Sequence, residues 1–131
     1  MARIDPAIFR QYDIRGKVPD ELDADAAYRI GLAFGTYLHR KGESMCLVGH
    51  DNRKSSDELR DAVVAGLLRT GCDILDVGLA TTPMFYYSRI LYNVNPGLMI
   101  TASHNPPEYN GFKVCFGQAT LYAVSYTHLR A

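Results

Sequence analysis

A chain of 131 residues, 47% of them hydrophobic, is long enough for one domain with a real core and too apolar for a disordered segment. The 14 Lys+Arg balance the 14 Asp+Glu, so no bulk field attracts nucleic acid, and no basic run supplies one locally. No apolar stretch reaches membrane-spanning length and the N-terminus lacks a secretory pattern, so a cytoplasmic protein without nucleic-acid or membrane partners is expected.

The opening Ile8-Phe9-Arg10-Gln11-Tyr12-Asp13-Ile14-Arg15-Gly16 is short and mixed. Ile8, Phe9 and Ile14 are candidate core anchors, with Asp13 and Arg15 held together at a turn that Gly16 ends. A surface ion pair of this kind is worth little by itself. Asp23 is placed to cap a helix of about seventeen residues, in which Ala27, Ile30, Gly31, Phe34 and Leu38 recur at helical spacing. Gly42 stops it, and His39 in its last turn suits the helix dipole. Met45 to Gly49 reads as a buried strand that opens into the polar run His50-Asp51-Asn52-Arg53-Lys54-Ser55-Ser56. Ser55 and Glu58 fit a capping box for a second helix, with Leu59, Ala62, Val63, Gly66 and Leu67 on one face and Gly71 at its end. From the residues alone, Asp51 and Arg53 form a helix-entry charge cluster.

Cys72 to Gly78 is a second strand. Thr81 or Thr82 then caps a third helix, with Pro83 suited to its first turn. Met84 to Tyr92 is nearly all apolar or aromatic, which predicts a packed helix rather than a ligand-stacking face. Cys46, Cys72 and Cys115 are odd in number and far apart. They read as buried strand thiols in a reducing compartment, and with four scattered histidines they give no zinc spacing.

Asn95-Pro96-Gly97 leads into the apolar run Gly97-Leu98-Met99-Ile100, a short buried strand. The chain then switches to Thr101-Ala102-Ser103-His104-Asn105-Pro106-Pro107, which must be a loop. A serine at the mouth of a buried strand has a rigid base and a solvent-facing hydroxyl, a good position for a nucleophile or phosphate carrier. Ser103 and His104 are neighbours that point apart in extended backbone, and no carboxylate sits beside them, so a simple hydrolase triad is not indicated. Asn110-Gly111 supplies a tight turn, and Phe112 to Phe116 a last strand that projects Lys113 back toward Ser103. The bland alternative for Lys113 is a solvated lysine on an edge strand. Strand–helix alternation gives an α/β class: a three-layer α/β/α domain with a mostly parallel sheet and a final antiparallel strand. In such sheets ligands gather outside the carboxyl ends of the strands, where Ser103 lies.

Thr-Ala-Ser-His-Asn-Pro followed by Tyr-Asn-Gly-Phe-Lys resembles the phosphoserine loop of the α-D-phosphohexomutases. The Pro-Pro-Glu-Tyr-Asn-Gly-Phe-Lys continuation looks most like the phosphomannomutase/phosphoglucomutase branch. Tyr-Asp-Ile-Arg-Gly at 12–16 is similar to the family's N-terminal motif. Gly49-His50-Asp51-Asn52-Arg53 is similar to its Gly-x-Asp-x-Arg segment, with His50 standing where the family commonly has arginine. The likeness runs over roughly residues 8 to 122.

The resemblance implies an isomerase that moves a phosphoryl group between the 1- and 6-positions of a hexose. Ser103 would carry the group, and His104, Lys113 and Arg15 would neutralise charge and help move the proton. Tyr12, Arg15, Ser103 and Lys113 would contact substrate, and Mg2+ would touch a phosphoryl oxygen on Ser103. Hexose phosphates and hexose 1,6-bisphosphate would be the ligands, while Asp51 and Arg53 would support the loop. Full-length members have four domains, yet no Asp-Gly-Asp-Gly-Asp metal string occurs here. Residues 1–122 are therefore expected to be a truncated first domain, inactive alone, and 123–131 a non-family tail of artefactual origin. A non-catalytic phosphate- or partner-binding module and a Ser-dependent hydrolase remain the other classes.

Overall fold

The structure is a computed structural model that describes residues 4, 8, 13–103, 105–117 and 119–120. Its elements are β1 (Ile14–Lys17), α1 (Ala24–Arg40), β2 (Met45–His50), α2 (Ser56–Arg69), β3 (Asp73–Leu79), α3 (Thr82–Leu91), β4 (Gly97–Ile100), β5 (Tyr109–Phe116) and β6 (Ala119–Thr120). The expected tail at 123–131 lies outside the described residues.

Local chemistry starts two of the helices as expected. The Asp23 carboxylate accepts from the Ala26 N–H at 2.8 Å, and Thr81 Oγ1 accepts from the Met84 N–H at 3.2 Å. The capping box expected at α2 does not form. Ser55 has helical backbone (φ −81°, ψ −9°), which turns its side chain away from the first-turn amides. Its hydroxyl instead accepts from the Asn110 side chain at 2.8 Å.

The sheet runs β1-β5-β4-β2-β3, with β6 on β5. Strands β2, β3 and β4 are mutually parallel, as helix-linked strands must be, and β1, β5 and β6 pair antiparallel. Two expected turns are strand. Ile14–Lys17 pairs with Phe112–Tyr109, so Gly16 ends no turn. Asn110 and Gly111 lie within β5, and the chain reverses earlier, where the Tyr109 N–H bonds the Pro106 carbonyl at 3.0 Å. Gly111 is there for close approach: a Cβ would sit 2.0 Å from the Ile14 carbonyl oxygen.

One face of the sheet is sealed by α1 and α2. Phe34, Leu38, Leu59, Val63 and Leu67 pack on Cys46, Val48, Leu98, Ile100, Phe112 and Val114, all essentially inaccessible. Each large side chain buried this way contributes roughly 1.5–3 kcal/mol. The two helices touch backbone to backbone at Gly31 and Gly66, where a Cβ would come within 2.2 Å of the Val63 and Tyr28 carbonyls respectively. On the other face α3 sets Phe85 against Leu47, Met99 and Cys115. The expected all-round packing of α3 is not found: Phe85 is its one buried residue, and Met84, Tyr87, Ile90 and Leu91 are 55–78% exposed. An outer-layer helix meets the sheet along one stripe only, whatever its composition.

Candidate functional site

The four residues of β4 are fully buried, which gives the following loop a fixed base. Thr101 Oγ1 accepts from the Ser103 N–H at 3.0 Å, and the Asn105 N–H bonds the Ala102 carbonyl at 3.1 Å. Ser103 itself has φ +55°, a left-handed conformation that costs a non-glycine residue about 1 kcal/mol or more. That turn leaves its side chain exposed.

Arg53 holds the loop in this shape. Its guanidinium donates to four backbone carbonyls: Pro106 (2.7 Å), Asn105 (2.8 Å), Ser103 (2.9 Å) and Tyr109 (3.1 Å). A planar fork with five donors can do this; a lysine cannot. Asp51 pairs with Arg53 Nε at 3.3 Å and accepts from the Ser56 hydroxyl at 2.6 Å. Beneath them the fully buried Asn110 amide donates to Ser55 and Ser56 and accepts from the Gly111 N–H. The start of α2 and the start of β5 are thereby tied to one loop. With its carbonyls drawn inward to Arg53, the loop keeps those lone pairs away from any anion outside.

Outside lies an open cleft of about 830 Å³, walled by Ser103, Thr101, Lys113, Asp51, Thr81 and Met84 among others. Lys113 pairs with Met99 across β4 and β5, and alternates with Phe112 and Val114, which face α1 and α2. Its side chain therefore rises on the α3 face, and it forms no ion pair among the described residues. Arg15, opposite Gly111, shares that face. It does not line the cleft. It bonds Asp13, which is 5% exposed, and the Asn105 side chain in the loop. The Asp13–Arg15 pair is thus a loop anchor rather than a surface pair. His104 and Tyr12 lie outside the described residues. His50 turns to the α2 side, with Nε2 3.3 Å from Asp57.

Among the described residues no group of three His, Cys, Asp or Glu could hold a metal ion. The cysteines are poor nucleophile candidates. Burial pushes the Cys46 thiol well above its ordinary range, and burial with nearby Asp73 pushes Cys72 up to about 11. Sequence reading missed two contributors: Asn110, whose buried amide was taken for a turn residue, and the start of α3, which forms a cleft wall.

Residues 6–127 match the profile described as phosphoglucomutase/phosphomannomutase, alpha/beta/alpha domain I. The chain belongs to the phosphoglucomutase/phosphomannomutase family. It is 46% identical over 115 residues to the phosphomannomutase/phosphoglucomutase of Pseudomonas aeruginosa, covering 88% of this chain and 25% of that protein. It is 45% identical over 115 residues to a probable phosphoglucosamine mutase of Pyrococcus horikoshii, again 88% and 25%. A crystal structure of a phosphoglucomutase/phosphomannomutase family protein from Burkholderia thailandensis superposes with a TM-score of 0.91 at 39% identity, over 96% of this chain and 29% of the other. The chain thus spans about a quarter of the length of the curated relatives it matches. No helix among the described residues is long and apolar enough to cross a membrane.

Proposed function

We propose that this domain supplies the phosphoryl carrier of a hexose-phosphate mutase, with Ser103 as the carrier. The observation that supports it is the exposed Ser103 and the unpaired Lys113 lining one open cleft at the carboxyl edge of the sheet. In the forward half-reaction the Ser103 Oγ–P bond breaks and a bond from phosphorus to the free 1- or 6-hydroxyl of a hexose phosphate forms. The hydroxyl proton leaves to a base, and the product is a hexose 1,6-bisphosphate. After the sugar turns round, the other phosphoryl group returns to Ser103. Such transfer needs charge stabilisation and in-line placement more than a strong nucleophile. Lys113 is placed to neutralise the transferring group, with His104 sharing charge and proton movement and Tyr12 lining the substrate side. Arg15 contributes through Asn105 and meets the phosphoryl group directly only by exchanging that partner.

Mg2+ on a phosphoryl oxygen of Ser103 belongs to this reading. The described residues do not form a magnesium site by themselves, so its other ligands come from outside this domain. The same holds for sugar choice. Relatives whose names specify mannose, glucose and glucosamine are nearly equally similar here, at 45–46% identity. The chain alone is therefore expected to be inactive.

The test is a chimera in which residues 1–120 replace the corresponding part of the Pseudomonas aeruginosa relative. Ser103→Ala should lower mutase turnover by about 10³-fold or more. Radiolabelled hexose 1,6-bisphosphate should leave its label on the Ser103 peptide. Normal turnover with Ser103→Ala would refute the carrier role, and turnover by residues 1–131 alone would refute the need for other domains.

A further inference from the structure

Resting on that reading, we infer that the outward stripe of α3 is the seat on which the rest of the mutase polypeptide docks, and that docking there roofs the Ser103 cleft. Met84, Tyr87, Ile90 and Leu91 are 55%, 62%, 78% and 58% exposed, at successive positions of one helical face. Single exposed apolar residues are ordinary, but a continuous stripe of large ones marks an interaction surface. The one charged residue of α3, Arg89, is turned inward.

Four observations identify the occupant. The relatives carry roughly three times as much polypeptide again beyond the part matched here. The turn between β5 and β6 sits at the foot of α3: the Gly117 carbonyl accepts from Arg89 at 2.5 Å and the Gly117 N–H bonds Asn95 at 2.7 Å. Polypeptide leaving β6 therefore starts beside the stripe. Strands spaced ~4.8 Å apart make this sheet much wider than one ~10 Å helix can cover, while the opposite face has two helices. Finally, Met84 belongs both to the stripe and to the cleft wall, and neighbouring Leu79 (64% exposed) lines the same cleft. A body seated on α3 must overhang Ser103.

A second copy of the chain fits less well. A helix of 10 residues is only ~15 Å long, far short of the ~800 Å² per partner of a stable dimer. A tethered segment needs much less area because its effective concentration is already millimolar.

Hydroxyl-radical footprinting reads this on unmutated side chains. Met84, Tyr87 and Tyr92 should oxidise about fivefold or more slowly in the folded chimera than in the isolated chain. A second chimera, built on the Thermococcus kodakarensis relative, gives the same readout should the first not fold. Equal rates in both settings would overturn the proposal. So would protection in the isolated chain that grows with concentration and coincides with dimer sedimentation. Ser103→Ala separates the two readings, since it should abolish turnover and leave the protection intact. Protection with Ser103-independent turnover would sink the carrier and keep the dock. Ser103-dependent turnover with equal footprints would do the reverse.

Discussion

The two faces of the sheet are built to different ends. Under α1 and α2, five large side chains are sealed against six strand residues, and two glycines let the helices touch. Under α3, one phenylalanine is fully buried and the helix turns its other large residues to solvent. The cleft with Ser103 and Lys113 opens on this second face. The difference teaches that stability is concentrated on the side away from the chemistry. The functional side keeps open surface that a longer polypeptide can use.

The comparison breaks most directly at the helix contact. Gly31→Leu drives a side chain into the Val63 carbonyl and should cost about 3 kcal/mol or more, read as loss of cooperative melting near room temperature. A melt close to the parent's would show that α1 and α2 are not locked together there.

Arg53→Ala probes the bridge between the two faces. It orphans four loop carbonyls and should cost about 1–3 kcal/mol, with fast amide exchange at Ser103, Asn105 and Tyr109. Arg53→Lys should rescue little, because one ammonium cannot replace the fork. Full rescue by lysine would reduce the clamp to a simple charge effect.

The thiols sharpen the contrast chemically. Cys46, Cys72 and Cys115 are buried and should react with an aromatic disulfide reagent only as the chain unfolds. Cys72 binds its proton more tightly folded, at about 11 against 9.0 for a free thiol. The unfolded chain thus ionises first, so stability should be flat below pH 9 and fall between pH 9 and about 11. A rise over that interval in urea titrations would contradict the buried, neutral thiol.

The smallest effect belongs to the open face. Ile90→Ser in the isolated chain should change stability by no more than about 0.5 kcal/mol, because Ile90 is 78% exposed. A large drop in the melting temperature would mean that the stripe already has an intramolecular partner.

Sequence by itself determined what depends on near neighbours. Asp23 and Thr81 could be placed as caps because a cap bonds an amide three residues on. The stripe from Ala27 to Leu38 and the buried run Gly97–Ile100 announce their partners through periodicity and apolar content. The loop motif marked Ser103 as the candidate carrier in the same local way. Tertiary structure decided the rest. Asn110 and Gly111 make a turn in isolation, yet here Asn110 bridges to α2 and Gly111 admits β1, contacts made more than fifty residues away. Ser55 gave up its cap for that same bridge. Nor could composition tell which side of α3 would be covered, because an apolar side chain does not specify its partner, and that is set by what the sheet and the rest of the polypeptide bring to it.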